Sequence, residues 1–432
     1  MPDTRLAIAL GVVGFLCGLL YAFTTPLWQA PDEPSHFGYI EYIDSGDGLP
    51  SPLEAKVPVA AQAKARAVMK WPRVSEPLPD SPRVLPAEEF AYRDLMYTAN
   101  HPPLYYLAAR PFAKVGAVVS ETRLSGLAYG ARVFSAILIG LTVSLAFFSA
   151  RLVRLSRANA LLVASLVLLQ PQYLFIGSSI NNDGLTIFLW SAFVYLMLLE
   201  IRQPSYGRQL LIGATLGLGL LTKITFFLAL PLTVAGFLLA HPGDRNQALR
   251  RAGAAVLLAF FISGWWFIGN IFRYGSPWYI IGGTGLGPAT FAEFFTASKF
   301  YHWLFKSYWG YFGWMEKQLP RSLYAVMLVM SVFAALGASL SAIKTKDAIF
   351  RRSLGFLALS ALTLFAGAIW FRIVAQTGQG RYLFPSIIPF TILLWIGLRS
   401  LTPDRLKSWL AHGTLLLFAG LSAAGLALIR QL

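Results

Sequence analysis

Apolar runs long enough to cross a bilayer recur along this chain, and they constrain its fold more than any motif does. A bilayer core of about 30 Å needs about 20 apolar residues per helix. Eleven runs approach that requirement: 6–24, 125–150, 158–177, 183–200, 208–222, 224–240, 252–270, 322–343, 353–371, 382–398 and 409–429. The runs 208–222 and 224–240 form one apolar stretch interrupted by Lys223, which predicts a tight hairpin. Of the 432 residues, 56% are hydrophobic and 13% charged, against roughly 25% charged in soluble proteins. That balance excludes an ordinary soluble enzyme, a disordered chain and a coiled coil. The expected fold class is an all-α polytopic membrane protein, with residues 1–432 as a single transmembrane domain. Cys17 stands alone inside an apolar run, so the chain has no intramolecular disulfide, cysteine metal cluster or redox pair.

Two long polar segments, 25–124 and 271–321, interrupt the pattern, and eleven spans put both on one side. One set of short loops carries sixteen Lys and Arg residues, among them Arg5, Arg151, Arg154, Arg157, Arg202, Lys344 and Arg405. The opposite set carries four: Lys223, Arg372, Arg381 and Arg430. The positive-inside rule then predicts a cytoplasmic N-terminus and two external loops. The formal net charge of +16 is largely this topology signal, with a share for anionic lipid, and nucleic acid is not an expected partner. The first run reads as a retained helix instead of a cleaved signal peptide. The stretch 50–88 holds eight prolines and reads as an irregular external loop.

Ionisable groups are costly at membrane depth, so those near the outer helix ends are informative. Four places qualify. Asp32 and Glu33 lie between Pro31 and Pro34, just before an expected helix over 34–45. Either one acid caps that helix, or a general base sits at the membrane surface beside His36. His101, followed by Pro102, Pro103, Leu104, Tyr105 and Tyr106, opens a helix to about residue 119, expected along the interface. It is a polar cap or faces the same pocket as Asp32. Asp183 ends the turn from Ser178, where it caps the fourth span or points into an external cavity. Arg381 and Tyr382 follow Gly378 and Gly380. A guanidinium there suits bidentate phosphate binding. Lys223 poses the same question, and for both the plain alternative is snorkelling to headgroups. An aromatic run from Phe294 to Trp314 reads as an interfacial amphipathic segment, or as a platform for sugar rings or a prenyl chain. No Walker A, GxSxG or HExxH pattern is present.

The segments Pro31–Phe37, His101–Tyr106, Asn181–Asp183 and Gly380–Pro385, in this order, resemble the GT-C superfamily of polytopic glycosyltransferases. That superfamily includes protein mannosyltransferases and lipid A aminoarabinose transferase. More narrowly, the sequence is similar to a bacterial branch of that superfamily marked by PDEPxHF and GRYLFP segments. The resemblance implies a GT-C-like fold, with a large first external loop carrying interfacial helices, in a bacterial inner membrane. It implies transfer of a sugar from a polyprenyl-phosphate donor to an acceptor hydroxyl of a glycan, lipid or protein, with inversion, on the non-cytoplasmic face. A carboxylate of the first external loop would deprotonate the acceptor, and a fixed cation would stabilise the departing phosphate. Asp32 and Glu33 are the expected catalytic carboxylates. His36, His101, Tyr105, Asp183, Lys223, Arg381 and Tyr382 are the expected substrate-binding residues. Some members use a divalent cation such as Mg or Mn, and Asp32, Glu33 and Asp183 are the carboxylates that would bind one. A transporter or flippase of a lipid-linked sugar and a non-catalytic scaffold are the competing functions. The gathering of charges at one face favours an external active site.

Overall fold

The computed structural model describes residues 2–46, 48–51, 97–278, 298–375 and 378–432. Residues 52–88 of the proline-rich stretch, together with Phe294 and Phe295, lie outside them. Helix α1 (Pro2–Thr24) leads through a buried turn at Trp28 into α2 (Glu33–Ser45). A 3-10 turn (Tyr97–Asn100) precedes α3 (Leu104–Val119) and α4 (Arg123–Leu152). Then come α5 (Arg157–Leu168), α6 (Pro171–Gly177), α7 (Asp183–Arg202), α8 (Arg208–Leu220), a 3-10 turn (Ile224–Leu228), α9 (Ala229–Ala240) and α10 (Arg245–Tyr274). Helix α11 (Ser298–Trp309) is followed by a two-residue antiparallel pair, Tyr311–Phe312 with Lys317–Gln318. The chain closes with α12 (Arg321–Lys344), α13 (Ala348–Ala375), a 3-10 segment (Gly380–Ser386), α14 (Ile387–Leu401) and α15 (Lys407–Ile429).

Among the described residues, eight helices are long and apolar enough to cross a membrane, or nine if a bent pair counts as one span. The all-α polytopic expectation holds, with two local corrections. The expected span 158–177 is broken into α5 and α6, bent by 60°. Pro171 has no N–H to continue the ladder and disfavours helix at the residue before it. Gln170 bridges the break: its side chain accepts from the Tyr173 amide and donates to the Tyr308 carbonyl. The second correction concerns the expected hairpin of two full spans at Lys223. The chain makes two short helices, 13 residues in α8 and 12 in α9, joined through a 3-10 turn. The hairpin as a whole still reaches both ends of α7. Lys223 between them pairs with Asp183 at one end of α7, and Arg208 and His241 reach Glu200 at the other.

Small residues let the helices touch backbone to backbone, as apolar surroundings favour. Gly126 of α4 approaches α3 so closely that an added Cβ would lie 2.4 Å from the Gly116 carbonyl oxygen. Gly397 of α14 lies against α12 so that a Cβ would fall 1.9 Å from the Ala334 carbonyl oxygen.

One buried ion pair joins α2 to this bundle. Arg132, in the third turn of α4, donates from Nε to Glu33 Oε1 at 2.7 Å and from Nη2 to Oε2 at 2.6 Å. Its remaining donors go to the carbonyls of Ala22, Thr25 and Pro26. The amides of Trp28 and Ile180 donate to the same carboxylate at 2.9 and 3.0 Å. Both side chains are almost wholly buried. Glu33, an expected catalytic carboxylate, thus lies in a buried clamp where four donors already occupy both of its oxygens. Removing one member strands the other charge, which costs about 3–5 kcal/mol. Glu33→Gln should thus lower unfolding stability in detergent by that amount, and pairing it with Arg132→Met should recover much of the loss. Unchanged stability in Glu33→Gln would remove the clamp from this account.

Candidate active site

Six segments converge at one end of the bundle: the start of α2, the 97–101 turn, the start of α3, the α6–α7 turn, the α8–α9 turn and the 380–386 segment. Backbone bonds hold them together. The Leu104 amide donates to the Leu221 carbonyl at 3.0 Å, and Asn182 Nδ2 donates to the Thr222 carbonyl at 3.1 Å. The Gly380 amide donates to Ser307 Oγ at 2.7 Å. Only glycine fits at position 380, since a Cβ there would lie 2.1 Å from the Tyr308 nitrogen.

The converging charges alternate in sign. Lys223 Nζ pairs with Asp183, and Arg381 Nη1 lies 3.8 Å from the other oxygen of Asp183. Arg381 Nη2 binds Asp32 Oδ2. The Tyr382 ring lies under both cations, 5.9 Å from Lys223 Nζ and 5.6 Å from the Arg381 guanidinium. The side chain of Arg381 is 7% exposed and that of Asp32 26%, so the guanidinium lies at the floor and the carboxylate toward the mouth. Arg381 Nε is buried and has no acceptor among the described residues. The buried amide oxygens of Asn100 and Asn182 likewise have no donor among them.

Asp32 stands at the N-cap of α2 but makes no side-chain capping bond, and its φ of 66° puts it in the left-handed region. That backbone is costly for a non-glycine residue, and it frees the carboxylate to meet Arg381. Asp183 is the first residue of α7, where its charge suits the helix N-terminus, although it does not serve as the hydrogen-bonding cap. Asn181 Oδ1 accepts from the Gly184 amide at 3.2 Å, while Asp183 faces the two cations. Neither Arg381 nor Lys223 snorkels outward.

An aromatic wall adjoins the charges. The His36 and His101 rings stack with centroids 5.8 Å apart, and His36 Nδ1 shares a 2.8 Å hydrogen bond with the Tyr106 hydroxyl. Tyr39 stacks on Tyr106 at 3.7 Å and donates to the His101 carbonyl at 3.3 Å. Tyr105, expected in the site, instead turns toward α4 and meets Ser135 Oγ at 3.0 Å. The Tyr-Tyr pair lies on a helix, so the two rings cannot share a face, and Tyr106 is the one beside His36. The sequence reading missed Tyr106, Tyr39 and Arg132. For Arg132 a signal existed, a guanidinium deep inside an apolar run. The aromatic run is divided: Tyr308, Trp309 and Phe312 are buried in the bundle, while Trp303 is exposed.

The three acids expected to serve a divalent cation do not form a ligand set. Glu33 is taken by Arg132, while Asp32 and Asp183 face Arg381 and Lys223. Among the described residues, no three His, Cys, Asp or Glu side chains are arranged to hold a metal ion. A cation there would meet two fixed positive charges.

A family model described as "Predicted membrane protein (DUF2142)" matches residues 15–391, and the chain belongs to that family. No curated protein matches the sequence. Among solved structures, the fold is similar to that of ArnT from Cupriavidus metallidurans bound to undecaprenyl phosphate. The identity is 15% and the TM-score 0.51, covering 99% of this chain and 76% of that one. It is also similar to the apo oligosaccharyltransferase from Archaeoglobus fulgidus, at 14% identity and a TM-score of 0.50, covering 97% of this chain and 56% of that one. The chain thus spans little more than half the length of that oligosaccharyltransferase. The fold is GT-C-like, as the sequence motifs suggest.

Burial sets the charge state of the aromatic wall. It pushes the His36 imidazole down to about 3, opposed by Asp32 and Asp183 and helped by Lys223 and Arg381. Burial, with Lys223 and His36, also holds His101 well below the ordinary value of 6.5. Both rings are therefore neutral when folded, whereas the unfolded chain binds protons below about pH 6.5. Stability should be flat above that pH and fall as pH drops from about 6.5 to 5, with a limiting slope near 1.4 kcal/mol per unit for each histidine. Denaturant titrations across that window should show His36→Gln losing about half the slope. A His36→Gln variant with an unaltered slope would contradict the buried neutral ring.

Proposed function

We propose that this member of the family is an inverting glycosyltransferase. It moves a sugar from a polyprenyl-phosphate-linked donor to an acceptor hydroxyl on the non-cytoplasmic face of a bacterial inner membrane. The observation that carries the reading is Arg381. A guanidinium held between two carboxylates, with one buried N–H lacking an acceptor among the described residues, is suited to a phosphate that adds oxygens to that shell. Likeness of fold to a protein that binds undecaprenyl phosphate supports a lipid-linked donor. The basic asymmetry of the short loops supports a cytoplasmic N-terminus, which would put the Asp32 end outside.

In this reading the donor phosphate lies against Arg381 and Lys223 and competes with Asp32 for the guanidinium. Asp32, released at the mouth, accepts the proton of the acceptor hydroxyl. The acceptor oxygen then bonds to the anomeric carbon from the face opposite the leaving group. The bond from that carbon to the phosphate oxygen breaks, and the electron pair leaves with polyprenyl phosphate. The negative charge that develops there is met by two cations fixed in a dry site, where they cost no reorganisation. The amide oxygens of Asn100 and Asn182 would take sugar hydroxyls as donors. His101, half-buried and backed by the buried His36, Tyr106 and Tyr39, offers a neutral ring edge for a sugar.

Turnover in nanodiscs, with polyprenyl-phosphate sugars as donors, tests the assignment. Loss of the general base in Asp32→Asn should lower transfer by about 10²–10⁴, with thermal unfolding reporting an intact fold. Arg381→Ala should lower the turnover rate by about 10²–10³, and Arg381→Lys should restore part of it, since an ammonium cannot hold two oxygens in plane. A folded Asp32→Asn variant that keeps wild-type turnover would sink the proposal.

A further inference from the structure

A second polar site lies at the far end of the bundle and is independent of the reaction proposed above. Asp183 and Arg202 bracket α7, 20 residues long, so the two ends are about 30 Å apart. At the Arg202 end, an open cleft of about 480 Å³ is lined by Asp3 of α1, Phe148 and Arg151 of α4, Arg154 just beyond α4, and Tyr195 and Arg202 of α7. Sites for small molecules run from roughly 300 to 1,000 Å³, well beyond the needs of a lone oxyanion.

The charge there is unbalanced. Arg151 and Arg157 share Asp3, at 3.0 and 2.8 Å, and Arg154 pairs with Asp347. Four arginines, with Arg202 included, thus meet two carboxylates. Arg202 makes only two contacts among the described residues, both at 3.4 Å, to the carbonyls of Arg151 and Leu152. Most of its planar set of donors remains open to an anion. Part of the lining is aromatic: Phe148 and Tyr195 lie together with ring centroids 6.2 Å apart. Tyr195 is seven residues before Arg202 on α7, so the two side chains start about 10 Å apart along the helix. A ligand that fills this space has an anionic head and an apolar stem.

We infer that this cleft binds the headgroup of an anionic phospholipid, its phosphate between Arg202 and Arg154 and its glycerol and first methylenes against Phe148 and Tyr195. A phosphodiester offers the two oxygens that a guanidinium takes in plane. The lipid would come from the leaflet toward which the basic loops point, where anionic lipids draw arginine side chains.

Native mass spectrometry of the full chain tests this, with phosphatidylglycerol and phosphatidylcholine supplied in equal amounts. The wild type should retain phosphatidylglycerol in preference to phosphatidylcholine. The Arg154→Ala/Arg202→Ala variant should hold it about thirtyfold more weakly, the sum expected for two arginines near an anionic surface. If that variant does not fold by thermal unfolding, Arg202→Gln alone should still weaken retention about fivefold. Equal retention by wild type and a folded variant would overturn the inference. So would displacement of the lipid by millimolar inorganic phosphate, which would mark a site for soluble anions.

Discussion

The structure turns on a guanidinium that cannot be left alone inside a helix bundle. Arg132 sits in the third turn of α4, and its charge is met by Glu33, which is brought from the start of α2. The three carbonyls at the end of α1 take its other donors. This one clamp therefore ties together α1, α2, α4 and, through the Ile180 amide, the α6–α7 turn. It also sets the orientation of the next residue back. With Glu33 drawn into the bundle, the left-handed turn at Asp32 sends the neighbouring carboxylate the other way, to Arg381. Two adjacent acids thus divide their work by side: one holds the fold and one faces the cavity.

The same electrostatic economy shapes the site. Lys223, Asp183, Arg381 and Asp32 form a row of alternating charges, so each ion is desolvated with a partner and the row is neutral as a whole. Pairs of this kind are not strong sources of stability, because desolvation offsets most of the attraction. Their value lies in holding fixed charges where an incoming anion can displace one partner. On Arg381 a buried N–H without an acceptor among the described residues is where the proposed phosphate would bind. The neutral His36 and Tyr106 pair lines the adjoining wall without adding charge to the row.

Much of this was legible in the sequence, and the failures have physical causes. Composition and the apolar runs are local properties, so the polytopic fold and most spans could be read directly. The break at Pro171 follows from local chemistry as well, yet the apolar run continues through it and hides it. The segments around Asp32, His101, Asp183 and Arg381 were legible as candidates, since ionisable groups at helix ends are rare in such a chain. Which acid does what was not. Arg132 and Glu33 lie about a hundred residues apart in sequence, and no local pattern announces their pairing. The difference between Tyr105 and Tyr106 is a rotation of one residue on a helix, set by where α3 packs on α4.

The central claim is that the Arg381 guanidinium exchanges Asp32 for a lipid phosphate. It is tested most directly by a cryo-electron microscopy structure of the protein in nanodiscs with polyprenyl phosphate. The account predicts phosphate oxygens at hydrogen-bond distance, about 2.7–3.2 Å, from the Arg381 nitrogens, with the bond to Asp32 opened and Asp183 still beside Lys223. A phosphate bound elsewhere, with the Arg381 and Asp32 pair intact, would contradict it.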